Sequence, residues 1–148
     1  MTAKTVLFPT DLSDTSNLAL QYAVDFAQAS GGRLLIVHVQ EPIHPLVGGE
    51  LAYMPTLETD PEQLAATLQK IVPADPQLVY AHQLVQGDPA TEIIKLAKAE
   101  HADLIVLGTH GRTGISRLLM GSTAEEVMRR APCPVLAVKE PVLEPAHA

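Results

Sequence analysis

Between Gly108 and Thr123 the chain reads Gly108-Thr109-His110-Gly111-Arg112-Thr113-Gly114-Ile115-Ser116-Arg117-Leu118-Leu119-Met120-Gly121-Ser122-Thr123, and these residue types suit an anion. Glycines allow close backbone approach and positive φ. The first amides of a helix offer unpaired donors and the positive end of its dipole, so a helix opening at Ser122 supplies a berth for phosphate. No carboxylate occurs between Asp103 and Glu125, whereas His110, Arg112 and Arg117 all fall there. In a chain of net charge −7, that local absence of acid favours a negative ligand at this spot.

Simpler roles exist for the same residues. Gly108 and Gly111 also suit a tight strand-to-loop turn. Ser122 with Glu125 spells a capping box, Ser-x-x-Glu, which needs no ligand. Asp11 and Ser13, near another helix start, also suit a cap or a turn. What favours a ligand is co-occurrence: all of them should converge at one end of one sheet, beside a stretch without acids.

Other chemistries lack their residues. There is no G-x-x-x-x-G-K-[ST], so the lysine and metal-bound hydroxyl of a P-loop are absent. The turn after the first apolar run is Pro9-Thr10-Asp11-Leu12-Ser13 instead of G-x-G-x-x-G, which argues against a dinucleotide site. No Ser, His and Asp set has the strand-turn-helix context of a hydrolase elbow, and no residue stands out as a water-activating base. The six histidines are scattered, without the close pairing of a zinc site. His38 reads as a core or sheet-face histidine, and His110 is the one histidine placed to meet phosphate. Cys133, the sole cysteine, lies between Pro132 and Pro134 and reads as a structural thiol.

The elements that must position these residues follow from apolar periodicity. Thr5-Val6-Leu7-Phe8 is a short buried strand stopped by Pro9. Apolar residues then recur at helical spacing from Leu18 to Ala27, ending at Gly31-Gly32. Arg33 to Val39 is continuously apolar in its middle, as expected of a parallel strand covered on both faces. From Gln40 to Thr59 prolines and glycines interrupt any periodicity, and a stretch this long suits a lid. Asp60, Pro61 and Gln63 open a helix as N-cap, first position and capping-box partner, and it stops by Pro73. Leu78 to Val85 predicts a third strand with alternating character. Asp88 caps a helix through Ile93, Ile94, Leu96 and Ala97. Asp103 to Leu107 is the fourth strand, Ser122 to Ala131 the last helix, with Arg129 and Arg130 favouring its dipole, and Val135 to Val138 the fifth strand.

Strands alternating with helices specify an α/β fold: an open, doubly wound, five-stranded parallel sheet of Rossmann or flavodoxin type with helices on both faces. Ligands in such sheets bind beyond the carboxyl ends of the strands, where strand order reverses. The segments there are Pro9 to Ser13, Val39 to Pro42, Gly87-Asp88 and Gly108 onward. The 148 residues fit a single domain, with 140–148 a loose tail. A hydrophobic content of 47% with 18% charged residues is ordinary for a globular chain. The acidic balance disfavours nucleic acid and anionic membrane. No apolar run approaches the roughly 20 residues of a membrane span, and no signal peptide is read at the start, so the expected location is cytoplasmic.

With these motifs in place, the chain resembles the universal stress protein family, in its nucleotide-binding branch. The resemblance runs from Val6-Leu7-Phe8-Pro9-Thr10-Asp11-Leu12-Ser13 to Pro134-Val135-Leu136-Ala137-Val138. The family's glycine signature is Gly, two residues, Gly, nine residues, Gly, then Ser or Thr, and Gly108, Gly111, Gly121 and Ser122 meet it. The resemblance implies an adenine nucleotide alpha-hydrolase-like sheet and an ATP site. It places Pro9, Thr10 and Asp11 against the nucleoside, with Asp11 bonding the ribose, and the backbone of Val39 at the adenine edge. Gly108 would approach the ribose and phosphates, with Gly111 and Arg112 beside the phosphate chain. Gly121, Ser122 and Thr123 would serve the terminal phosphates, and Mg or Mn would ride on them. The resemblance further implies a homodimer through the fifth-strand edge, an unidentified protein partner, and regulation by ATP with little or no hydrolysis. A slow ATPase or phosphotransferase and a nucleotide-free scaffold are the alternatives.

Overall fold

The computed structural model describes residues 4–13, 17–42, 60–109 and 121–139. Within them lie β1 (Thr5–Pro9), α1 (Asn17–Ser30), β2 (Arg33–Gln40), α2 (Pro61–Gln69), β3 (Val79–Gln86), α3 (Pro89–Ala99), β4 (Leu104–Gly108), α4 (Ser122–Arg130) and β5 (Val135–Val138). The five strands form one parallel sheet in the order β3-β2-β1-β4-β5. This is the doubly wound sheet expected from the alternation of strands and helices. The chain winds outward from β1 through β2 to β3, then returns to the other side of β1 for β4 and β5. Strand order therefore reverses between β1 and β4, and the crevice of such a fold opens there, beyond Pro9 and Gly108.

Side chains alternate across the sheet. Leu7, Leu35, Val37, Val39, Ile105 and Leu107 pack with α3 and α4 through Ile93, Ala97, Ala124 and Val127. Val6, Phe8, Leu34, Ile36 and Val106 pack with α1 and with Leu68 of α2. On α1 the buried residues are Ala19, Ala23 and Ala27, one every turn, so the helix backbone lies close to the sheet. This core is built of aliphatic residues, and Phe8 is its one fully buried aromatic among the described residues.

Element boundaries differ from the sequence reading by about a residue, each for a physical reason. β1 includes Pro9: Thr10 N–H donates toward β2, so Pro9, one residue earlier, turns its missing donor toward β4, where pairing has already ended at Leu7. β4 starts at Leu104 because Asp103 anchors the strand ends instead, its Oδ2 accepting from Thr5 N–H at 2.9 Å. Gly108 belongs to the strand because it pairs with Val138 of β5. β3 does not alternate: it is an edge strand, and Val79, Tyr80 and Ala81 are all exposed. At α2 the Asp60 carboxylate accepts from Glu62 N–H, one position short of the expected capping-box bond to Gln63.

Candidate functional site

Four segments meet at the carboxyl end of the sheet. Thr10 to Ser13 follow β1, Val39 ends the buried part of β2, Gly108 ends β4, and Gly121 to Thr123 open α4. A backbone bond from Gly121 N–H to Thr109 O at 2.6 Å sets the start of α4 directly beside the end of β4. Thr109 N–H donates in turn to Val138 O at 3.1 Å, which ties that junction to β5. His110, Gly111 and Arg112 lie outside the described residues, as do 43–59 of the stretch read as a lid and 140–148 of the tail.

The turn after β1 is fixed by its own side chains. Thr10, 6% exposed, accepts Leu12 N–H on its hydroxyl at 3.0 Å. Asp11 Oδ1 accepts Ser13 N–H at 2.9 Å and also the Ser13 hydroxyl. These are the short-range bonds that Thr and Asp make two residues on, and they hold Leu12 at φ 67°, a backbone region that leucine enters at a cost. Asp11 is thus a turn former, as the simpler reading allowed, but only through one oxygen. Its other oxygen, Oδ2, is shielded from solvent and has no hydrogen-bond partner among the described residues. A buried carboxylate oxygen without a donor is costly, and a ligand hydroxyl is the group that would relieve it.

Gly108 presents the second such feature. A Cβ built on it would meet nothing within 4 Å among the described residues, and its φ is not positive. Neither a tight turn nor close packing by these residues requires glycine there. Space in front of a strand end that no described side chain fills is what a bound molecule needs.

At α4 the capping-box reading fails. The N-cap is Gly121, with no side-chain cap bond, and Ser122 is the first helical residue. A residue already inside the helix cannot reach back as its cap, so the Ser122 hydroxyl is available for something else. Ser122 is exposed and Thr123 half-buried. Among the described residues no side chain accepts from the helix's first amides, which carry the positive end of the dipole beside the junction with β4. At its other end Arg129 and Arg130 pair with Glu125 and Glu126 at 3.2 and 2.7 Å, one turn away, and are remote from phosphate chemistry.

Val39 contributes through its backbone. In a parallel strand, successive residues turn their peptide groups to opposite neighbours. Gly87 N–H donates to Gln40 O at 3.0 Å, so Gln40 faces β3. Val39 therefore faces the β1 side, beyond the point where β1 has ended. Its N–H and C=O present a donor and an acceptor side by side in the crevice.

Other polar groups at this end are already committed. Hydrogen bonds from the Thr91 hydroxyl and then its N–H hold the Asp88 carboxyl below its ordinary range, so that residue caps α3. At the opposite end of the sheet, burial, reinforced by the Asp103 charge, pushes the Cys133 thiol up, and this cysteine, expected to be buried, is half-buried against the core. Among the described residues no group of three or more His, Cys, Asp or Glu could hold a metal ion. No helix among them is long and apolar enough to cross a membrane. His38, read from sequence as a core or sheet-face histidine, is half-buried on β2 and also bonds through Nδ1 to Thr10 O at 2.8 Å, so it touches the turn itself.

Comparison with known proteins agrees with this fold. The family model described as the universal stress protein family matches residues 2–139. The universal stress protein MJ0531 of Methanocaldococcus jannaschii is 37% identical over 145 residues, covering 95% of this chain and 85% of the relative. The solved structure of MJ0577, from the same organism, superposes with a TM-score of 0.72 at 26% identity, over 96% of this chain and 99% of that one. A universal stress protein solved in complex with cAMP superposes with a TM-score of 0.62 at 29% identity, over 91% and 95% of the two chains.

Proposed function

The chain belongs to the universal stress protein family, and on that premise we propose that it is an adenine-nucleotide-binding regulatory protein whose ligand is ATP. The observation that carries this reading is the buried, unpartnered Oδ2 of Asp11 beside the strand-order reversal. A sugar hydroxyl donating to it would satisfy the one buried side-chain oxygen left unpaired among the described residues. The open space at Gly108, the peptide edge of Val39 and the uncapped start of α4 support the berths of sugar, base and phosphates in turn. The cAMP complex of a similar protein supports the adenine nucleotide class.

In this reading ATP acts as a conformational ligand, with hydrolysis slow or absent. Pro9 and Thr10 line the nucleoside, Gly121, Ser122 and Thr123 hold the terminal phosphates, and His110, Gly111 and Arg112 flank the phosphate chain. Any Mg or Mn is carried on the phosphates themselves, which require at most one protein carboxylate for it. The segment from Glu41 to Thr59 closes over the nucleotide as a lid and changes a surface read by a partner protein in the cytoplasm.

Two measurements test this. Freshly purified protein, denatured and analysed by chromatography, should release adenine nucleotide, and calorimetry should show ATP binding. Asp11→Ala should weaken ATP by about tenfold or more, as expected for losing a hydrogen bond to a charged acceptor. It should weaken 2′,3′-dideoxy-ATP much less. Equal weakening of both nucleotides would remove the sugar from Asp11.

We further propose a homodimer through β5. That strand is a sheet edge, and its outer ladder groups have no neighbour among the described strands. Sedimentation at micromolar concentration should give twice the chain mass; a monomer throughout would contradict the pairing.

A further inference from the structure

We propose that His38 and the Thr10 hydroxyl are positioning residues that hold the β1–β2 ladder open at Val39, leaving its peptide edge to an adenine ring. The proposal rests on the nucleotide reading above and extends it to base selectivity.

The register of the two strands defines what would happen without them. Pro9 is opposite Val37, and Thr10 N–H donates to Val37 O at 2.7 Å. In a parallel ladder the next rung would be Val39 N–H to Thr10 O, and the one after it Leu12 N–H to Val39 O. Neither forms. The His38 ring takes the first acceptor: a carbonyl only accepts, so Nδ1 carries the proton and donates to Thr10 O at 2.8 Å. The Thr10 hydroxyl takes the second donor, Leu12 N–H, at 3.0 Å. The left-handed backbone of Leu12 then turns the chain away from β2.

Both ladder groups of Val39 are thereby released by side chains, one from each strand. The residue itself is 9% exposed and anchored in the core, so the edge it presents is rigid. An N–H beside a C=O matches N1 and the exocyclic amine of adenine, an acceptor beside a donor. Hypoxanthine presents the reverse pair and would leave both protein groups facing like partners. Sites built on hydrogen bonds reject such mismatches more strongly than apolar pockets do.

The test uses ATP and ITP as probes, with amide hydrogen exchange of the free protein. In unaltered protein the Val39 amide should exchange rapidly without nucleotide, and ATP should bind about 30-fold more tightly than ITP. His38→Phe keeps the ring size and removes the donor. It should slow Val39 exchange in the free protein by about tenfold or more, as the rung closes, and reduce the ATP preference to about threefold. His38→Asn, whose amide nitrogen stands where Nδ1 does, should restore both to near the original values. Thr10→Val removes the second capture and should also lower the ATP preference, which keeps the proposal testable if His38→Phe does not fold.

A folded His38→Phe protein with unchanged Val39 exchange, or with ATP and ITP weakened equally, would overturn the proposal. If unaltered protein binds neither nucleotide, the nucleotide reading fails on its own. The exchange comparison in free protein still decides whether His38 governs the rung.

Discussion

Gly108→Val is expected to abolish ATP binding, a loss of about 100-fold or more, while leaving the thermal midpoint unchanged or slightly raised. The dissociation of the two effects is the point. A Cβ at this position meets nothing within 4 Å among the described residues, and the backbone φ is one that any residue adopts. Valine favours strands, and removing a glycine from one lowers the entropy lost on folding, so none of the described residues opposes the change. A nucleotide bound as proposed would. Gly108 closes β4 next to the junction where Thr109 O receives Gly121 N–H, and a branched side chain there would fill space at the strand end that no described residue occupies. Calorimetric titration and differential scanning calorimetry on the same preparation check both halves. Unchanged affinity would mean that no ligand approaches β4.

Gly32→Ala is expected to do the opposite: destabilise by about 3 kcal/mol, in the range of severe overpacking, with nucleotide affinity per folded molecule unaltered. A Cβ on Gly32 would fall 1.9 Å from Lys4 O and 2.8 Å from its carbonyl carbon. Backbone atoms cannot swing aside as a flexible side chain does. That same carbonyl accepts Arg33 N–H at 2.8 Å, the bond that starts the pairing of β1 with β2 at Thr5 and Arg33. The methyl group must therefore displace the first rung of the central strand pair. For a chain of this size the midpoint should fall by about 6–12 °C. A urea or thermal melt measures it, and a midpoint within a degree of the original would show that the strand start yields easily.

The contrast between these two glycines marks how far the sequence was readable. The sheet and its helices were legible because each strand is short and apolar, each helix repeats its apolar face, and Asp60 and Asp88 stand one residue before a proline at the helix starts. The edge character of β3 was not legible: Leu78 to Val85 reads as a half-buried strand, and only its place at the end of the order leaves Val79 to Ala81 exposed. Likewise Ser122 and Glu125 have the spacing of a capping box, yet a backbone bond to Thr109 makes Gly121 the cap. Propensity proposes such a cap; the tertiary junction decides it.

Much the same holds at the site. The local bonds of Thr10 and Asp11 reach two residues along the chain and are visible in the order Thr-Asp-Leu-Ser. That the other Asp11 oxygen is buried without a partner is not visible in that order. His38 meets Thr10 across 28 residues, through the strand register, and no local pattern announces that contact. Glycine alone does not distinguish a berth from a packing constraint; the surroundings of Gly32 and Gly108 do.

A crystal of this protein grown with ATP tests the central claim most directly. The account predicts a sugar hydroxyl on Asp11 Oδ2, the adenine edge on the peptide of Val39, and phosphates against the first amides of α4, with the ligand passing in front of Gly108. Density for ATP elsewhere, or a mouth between β1 and β4 closed by the protein's own side chains at saturating nucleotide, would contradict it.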